Sequence, residues 1–216
     1  MFYGFAKRII DIIGATLGLV FWAPILILVA IIIKLESAGP AIYTPERVGK
    51  DGKTFKMYKL RTMKIYKVNG KVVHADEYLK TKPVLFEKYK VSGYKLSKDP
   101  RLTRLGPFLR KSSLDELPQL VNVLKGKMSL VGPRAYLPEE LAEQQKIFPK
   151  TKPLVKILLR AKPGLTGFWQ VSGRSEIPFD RRIEMDVEYI KRRSILYDFY
   201  LILKTIPVLI SGRGAV

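Results

Sequence analysis

Between Arg101 and Glu116 the chain sets Arg101, Arg104, Arg110 and Lys111 ahead of an adjacent carboxylate pair, Asp115 and Glu116. Cations at that density suit a phosphorylated substrate, because a guanidinium can grip two phosphate oxygens at once. One acid of the pair could hold Mg2+ while the other attacks phosphorus as a nucleophile. The same residues have a plainer reading. Ser113 and Glu116 are spaced as a capping box ahead of an apolar run, in which Glu116 would only satisfy a backbone N–H. Pro118 then requires the helix to start later or to be strained. Two glycine-rich turns present more cations, Arg134 after Gly132-Pro133, and Arg174 after Gly173 beyond Pro163-Gly164-Leu165-Thr166-Gly167; ordinary surface turns explain these equally well. Asp186 and Glu188 fall on a helix beginning at Phe179, where a solvated charged face accounts for them.

The chain contains no Gly-x-x-x-x-Gly-Lys, no Gly-x-Gly-x-x-Gly and no His-Glu-x-x-His, so phosphate binding would come from scattered side chains. With 39 Lys and Arg against 19 Asp and Glu, the formal charge of +20 attracts polyanions: nucleic acid, anionic lipid or a phosphorylated substrate. Cysteine is absent and His74 is the only histidine, which excludes disulfides, thiolate metal sites and multi-histidine metal sites. A length of 216 residues allows one domain with an appendage.

The appendage is amino-terminal. Ile12 to Ile33 is an uncharged aliphatic run that, at about 1.5 Å per residue, would just cover a hydrocarbon core about 30 Å thick. It exceeds a usual signal-peptide core and lacks a clean cleavage site. Pro24 near its centre predicts a kink, giving arms of Ile12–Ala23 and Pro24–Ile33. Lys7 and Arg8 before the run and Lys34 after it resist moving either end outward, which suits a re-entrant helix; a kinked single span is equally compatible with the sequence.

Ser37-Ala38-Gly39-Pro40 should end that helix. Asp51-Gly52 between Ala41–Val48 and Thr54–Met63 reads as a hairpin, and Asn69-Gly70 between Lys64–Val68 and Lys71–His74 as another. Ala75 to Lys98 is charged and reads as one or two surface helices. Leu117, Leu120, Val121 and Leu124 predict a short helix closed by Gly126. Further helices are expected from Pro138, with Glu139 and Glu140 in the first turn, and over Phe179–Arg192. The apolar run Ile195–Ile210 carries Asp198, Lys204 and Pro207, so it reads as an interfacial or core helix.

In their order, these segments resemble the bacterial sugar transferase family, the monotopic polyprenyl-phosphate phosphoglycosyl transferases, over residues 5–216. The matching motifs are Lys7-Arg8-Ile9-Ile10-Asp11, Gly39-Pro40 with Glu46-Arg47-Val48-Gly49, Met57-Tyr58-Lys59-Leu60-Arg61-Thr62-Met63 and Arg110 through Leu120. They continue with Met128 through Arg134, Lys162 through Gly167, Gln170 through Arg174 and Ser211 through Gly214. The resemblance implies a mainly helical α+β fold with a re-entrant anchor over 1–36 kinked at its proline, a small β-hairpin element, amphipathic interfacial helices and a catalytic domain over 37–216. It implies that Asp115 attacks the β-phosphorus of a UDP-sugar, giving a phosphosugar-aspartate and UMP, and that undecaprenyl phosphate then accepts the hexose-1-phosphate. Glu116 would help bind Mg2+; Lys59, Arg61, Arg110, Arg134 and Arg174 would contact phosphate or nucleotide; Asp186 would be a further acid of the site.

The implied setting is the cytoplasmic face of the bacterial inner membrane, at the first membrane step of exopolysaccharide, O-antigen or glycoprotein glycan assembly. A homodimer is a candidate assembly, and nucleic acid is not an expected partner. Two positions depart from the family pattern, Ala23 where serine is frequent and Ala135 where proline is. The stretch between Met63 and Asp99 is longer than in the smallest members and resembles that of the galactose- or glucose-transferring branch, which implies UDP-galactose or UDP-glucose as donor; by the same resemblance the chain is expected to be a catalytic core with only its anchor. Two other classes compete: a non-enzymatic basic membrane protein binding nucleic acid or anionic lipid, and a transferase with a hydroxyl acceptor, which would release UDP.

Overall fold

A computed structural model describes residues 2–92, 96 and 99–211. The Gly212-Arg213-Gly214 part of the terminal motif lies outside the described residues. Helix α1 (Phe2–Glu36) runs as one element past Pro24, at about 1.5 Å per residue roughly 50 Å long. Among the described residues it is the one helix long and apolar enough to cross a membrane. It is bound to the domain at both ends. Near its start, Arg8 donates to the Val123 and Leu124 carbonyls at 2.7 and 2.8 Å, and Asp11 accepts from Ser129 Oγ and Leu130 N at 2.9 Å each. At its finish, Arg61 donates to the Ala38 and Ser37 carbonyls at 2.6 and 2.8 Å and, more loosely, to Ile33 O at 3.4 Å. Those carbonyls stand where a helix terminus leaves acceptors unpaired and negative. Asp11, Ala15, Val29 and Ile33 are buried against the domain, while Leu17, Val20, Phe21, Ile27 and Leu28 are exposed.

The chain then forms β1 (Ile42–Tyr43), β2 (Glu46–Val48), β3 (Thr54–Lys56) and β4 (Lys59–Leu60), with β2 antiparallel to β3 and β1 to β4. This is the first expected hairpin; Asp51 and Gly52 at its tip have positive φ of 57° and 75°. The second follows as β5 (Ile65–Val68) and β6 (Lys71–His74), whose two-residue connection, Asn69-Gly70, has φ of 50° and 76° and matches the twist of the strands it joins. Helices α2 (Ala75–Lys80) and α3 (Pro83–Val91) lie where surface helices are expected. Helix α2 is less peripheral than its charge suggests, since Ala75 and Leu79 are buried.

Helix α4 (Gly106–Ser112) leads through a single 3-10 turn, Leu114–Glu116, into α5 (Gln119–Leu124), so the helix predicted around Leu117 starts after Pro118. Leu120 and Val123 of α5 pack on Ala15 of α1. Strand β7 (Ser129–Val131) precedes α6 (Pro138–Ile147) and α7 (Lys152–Leu158), and pairs in parallel with β8 (Gly164–Thr166). Here the glycines are steric. A Cβ on Gly132 or Gly164 would run into the other strand's backbone, and one on Gly167 into the Gly132 carbonyl. Helix α8 (Phe168–Ser172) is followed by α9 (Phe179–Arg192) and α10 (Ile195–Ser211). Phe179, Ile183 and Val187 of α9 close a core with Tyr136, Leu141, Val155 and Leu158. In α10, Asp198 turns inward, where its carboxylate accepts from Lys7 Nζ and Tyr189 OH, each at 2.7 Å, while Leu203 and Ile210 face outward.

Candidate active site

Asp115 owes its position to a backbone reversal. Ser113, at the end of α4, takes a left-handed conformation with φ of 56°, which costs a non-glycine residue about 1–2 kcal/mol and turns the chain straight into Leu114–Glu116. The turn leaves Asp115 5% exposed. Glu116 reaches further into the open, and its side chain does not fold back as a cap: Lys59 of β4 takes it instead. Lys59 Nζ lies 3.2 Å from Asp115 Oδ2 and 2.9 Å from Glu116 Oε1.

Burial pushes the Asp115 carboxyl above its ordinary range, and the neighbouring Glu116 charge adds to this while Lys59 opposes it. Burial acts the same way on Glu116, yet the Lys59 ammonium outweighs it and holds that carboxyl low. Lys59 is itself held above its usual value, because two carboxylates overcome the cost of burying its charge. One acid of the pair is thus made basic while the other stays ionised.

Both acids line a cavity of about 1080 Å3, which is at the upper end of the roughly 300–1,000 Å3 typical of small-molecule sites. One wall is cationic. Arg110 is steadied by Thr62 Oγ1 at 3.1 Å and Arg174 by Ser113 Oγ at 3.4 Å. Arg134 stacks over Trp169 at 5.6 Å, with a buried Nε that has no partner among the described residues; Arg47 Nε and Nη1 are buried and unpartnered in the same sense. Buried donors left this way are costly unless an acceptor arrives. The opposite end is apolar, formed by Ile10 and Ile13 of α1, Leu130, and Phe199, Ile202 and Ile206 of α10.

Of the residues singled out from sequence, Lys59, Arg110, Asp115, Glu116, Arg134 and Arg174 converge on this cavity. Arg61 also borders it, but two of its nitrogens are committed to the carbonyls that end α1, which gives it a structural task. Asp186 stands behind the wall: its Oδ2 accepts from Arg134 N at 3.2 Å and Tyr136 OH at 3.4 Å, and burial pushes its carboxyl up to about 8. Its contact with substrate would therefore be indirect, through Arg134. Among the cavity residues without an assigned role from sequence are Arg47 and Glu140. Arg47 lay in a quoted motif, so a signal existed. Glu140 read as a helix-start acid, and only the fold shows it buried and facing the cavity near Arg47 and Arg134.

Among the described residues no cluster of three acids or histidines could cage a metal. The Asp115–Glu116 pair nevertheless fits Mg2+, which characteristically takes one or two carboxylates and completes its shell with phosphate oxygens and water. Lys59 shows that a cation is electrostatically welcome between these two carboxylates.

The family model for bacterial sugar transferases matches residues 2–212. The chain belongs to this family. The exopolysaccharide production protein ExoY of Sinorhizobium fredii is 39% identical over 212 residues, covering 98% of this chain and 88% of that protein. The undecaprenyl-phosphate galactose phosphotransferase of Salmonella typhimurium is 40% identical over 98% of this chain, but the match covers only 42% of its own length. A UDP-glucose:undecaprenyl-phosphate glucose-1-phosphate transferase of Caulobacter vibrioides is 37% identical, with 97% and 71% covered. The chain thus spans most of ExoY and less than half of the Salmonella relative. In this bacterial sugar transferase the motifs divide by task. Arg8 and Asp11 fasten α1 to the domain, the glycines after β7 and around β8 let two backbones touch, and Arg110 through Glu116 supplies the acid pair.

Proposed function

We propose that the protein transfers hexose-1-phosphate from UDP-galactose or UDP-glucose to undecaprenyl phosphate and releases UMP, at the first membrane step of a surface glycan. The observation that carries this is Asp115, a buried carboxylate made basic by its surroundings, set where a cationic wall meets an apolar slot between α1 and α10. Such a cavity offers one end to a nucleotide diphosphate and the other to a lipid phosphate.

In the first half-reaction an Asp115 oxygen bonds to the β-phosphorus, the bond from that phosphorus to the bridging oxygen breaks, and UMP leaves with the electron pair. In the second, an oxygen of undecaprenyl phosphate attacks the same phosphorus and Asp115 departs as a carboxylate. A covalent intermediate lets one site serve a soluble and a lipid substrate in turn. Carboxylate attack on a diphosphate requires charge neutralisation. Arg47, Arg110, Arg134 and Arg174 supply part of it, and Lys59 holds the acid pair aligned. Mg2+, held by Glu116 with Asp115 beside it, would neutralise diphosphate charge when bound.

The membrane reading rests on α1 fastening both of its ends to the same domain. A helix crossing the bilayer at a steep angle would drag that domain into the hydrocarbon, whereas a re-entrant or in-plane helix keeps Leu17 through Leu28 in lipid and both basic flanks on one side. The donor's origin and those flanks favour the cytoplasmic face of the inner membrane.

Incubating the purified protein with Mg2+, undecaprenyl phosphate and each UDP-hexose in turn should release UMP with UDP-galactose or UDP-glucose. Release of UDP would instead indicate a hydroxyl acceptor, and no nucleotide product from any donor would remove the proposal.

A further inference from the structure

The cavity continues past the cationic wall into a pocket that the acid pair and its cations do not use. The lining there comes from Tyr43 of β1, His74 of β6, Asp76 of α2, Phe86 and Tyr89 of α3 and Glu139 of α6, with Lys80 and Arg101 beside the two acids. Their chemistry differs from the rest of the site. Asp76 and Glu139 are already paired with Arg101 and Lys80, which leaves little free positive charge for a diphosphate, and four rings, two of them packed at 5.3 Å as Tyr43 and His74, offer faces to an uncharged ligand. Hydroxyls donate well to carboxylates, and carbon-bound hydrogens of a pyranose lie well on aromatic faces.

This wall is built rather than incidental. Asp76 accepts from Tyr43 OH, which ties α2 to β1. Arg101, only 1% exposed, donates to Asp99 at 2.7 Å and to Asp76 at 3.3 Å, and lies over the Tyr89 ring at 5.2 Å. Lys80 and Lys90 pair with Glu139 and Glu143 of α6 at 2.8 and 3.2 Å, so the insertion is docked on the element that carries Glu140. Arg47 lines the cavity together with Arg134 and Glu140 and with Tyr43 and Tyr89. The hexose of a donor whose diphosphate sits on the cationic wall would lie in the same cavity as these rings and acids.

We propose that the segment from Ile65 to Val91 is the sugar-selecting wall of the donor site, with Asp76 and His74 reading the hydroxyls of the hexose and Arg101 positioning Asp76. The proposal rests on the functional reading above and names where its specificity resides. Galactose and glucose differ in one hydroxyl orientation, and a site that hydrogen-bonds a hydroxyl can separate donors far more sharply than an apolar pocket can.

The test uses the full chain and two shape-preserving variants, Asp76→Asn and His74→Gln, assayed for UMP release from UDP-glucose and UDP-galactose, with UMP as competing inhibitor and a melting curve for each protein. The expected result is a change of roughly tenfold or more in the ratio of kcat/KM between the two donors in at least one variant, with inhibition by UMP unchanged. An equal loss on both donors with weaker UMP inhibition would mean that the wall holds the nucleoside, and overturns the proposal. Unchanged selectivity in both folded variants overturns it too. Absence of UMP from any donor with the unmodified protein would instead bring down the functional reading itself.

Discussion

Lys59 Nζ bridges the two acids of the site, 3.2 Å from Asp115 and 2.9 Å from Glu116, so a single ammonium favours the ionised form of both. Replacing it should show in the pH profile before anything else. In Lys59→Met both carboxylates lose their counter-charge, their pKa values rise, and protonation silences the nucleophile at higher pH than in the unmodified protein. The acidic limb of kcat/KM should move upward, and Lys59→Arg should move it back toward its original position. A limb that stays in place in Lys59→Met would show that this contact does not control the nucleophile.

Asp115→Asn preserves shape but cannot form the acyl phosphate. UMP release should fall by about a thousandfold or more, whereas flotation with lipid vesicles should be unaffected, because α1 and the outer face of α10 are untouched. Incubation of the unmodified protein with donor alone should yield UMP in proportion to enzyme, and this burst should be missing from the variant. Turnover retained above a few per cent would assign the attack to another group.

Asp186 offers a stability test independent of turnover. Its folded carboxyl sits at about 8 against an ordinary 3.8, so the folded state binds a proton that the unfolded chain releases across that interval. For an acid shifted upward the contribution is greatest below about pH 4 and is lost progressively as pH rises to about 8. Asp186→Asn has no proton to lose. The Tm of the variant minus that of the unmodified protein should therefore grow more positive from about pH 5 to 8 and level off above. A difference independent of pH would mean that Asp186 is ionised in the folded protein.

The hairpins, the helix over Phe179–Arg192 and the delayed start of α5 were legible because each has a local cause: positive-φ turns, a period of 3.6, a proline without an N–H. The acid pair was legible as a pair, but spacing could not tell whether Glu116 caps a helix or turns to the cavity, since that difference lies in whether Lys59, far away in sequence, claims it. The same limit hid the division of labour among the arginines. Arg61 and Arg134 look alike along the chain, yet one closes the end of α1 and the other faces the cavity. The burial of Ala75 and Leu79 within a strongly charged segment was equally out of reach, because it comes with α2 packing on α3 and on the hairpin of β5 and β6.

The two-ended attachment of α1 leads to a prediction about membrane topology that the sequence makes easy to test, since the chain has no cysteine of its own. Phe5 and Leu35 near the two ends are 71% and 82% exposed, and Phe21 near the middle is 72% exposed, so single cysteines there should leave the packing intact. In intact spheroplasts a membrane-impermeant maleimide should label neither Phe5→Cys nor Leu35→Cys; in inverted vesicles it should label both. Phe21→Cys should resist the reagent in both preparations and react only after detergent is added, as a position held in hydrocarbon would. Labelling of one end from outside would place the two flanks on opposite faces. That outcome would also require one of the two fastenings to the same domain, Arg8 on the Val123 carbonyl or Arg61 on the Ala38 carbonyl, to release on insertion.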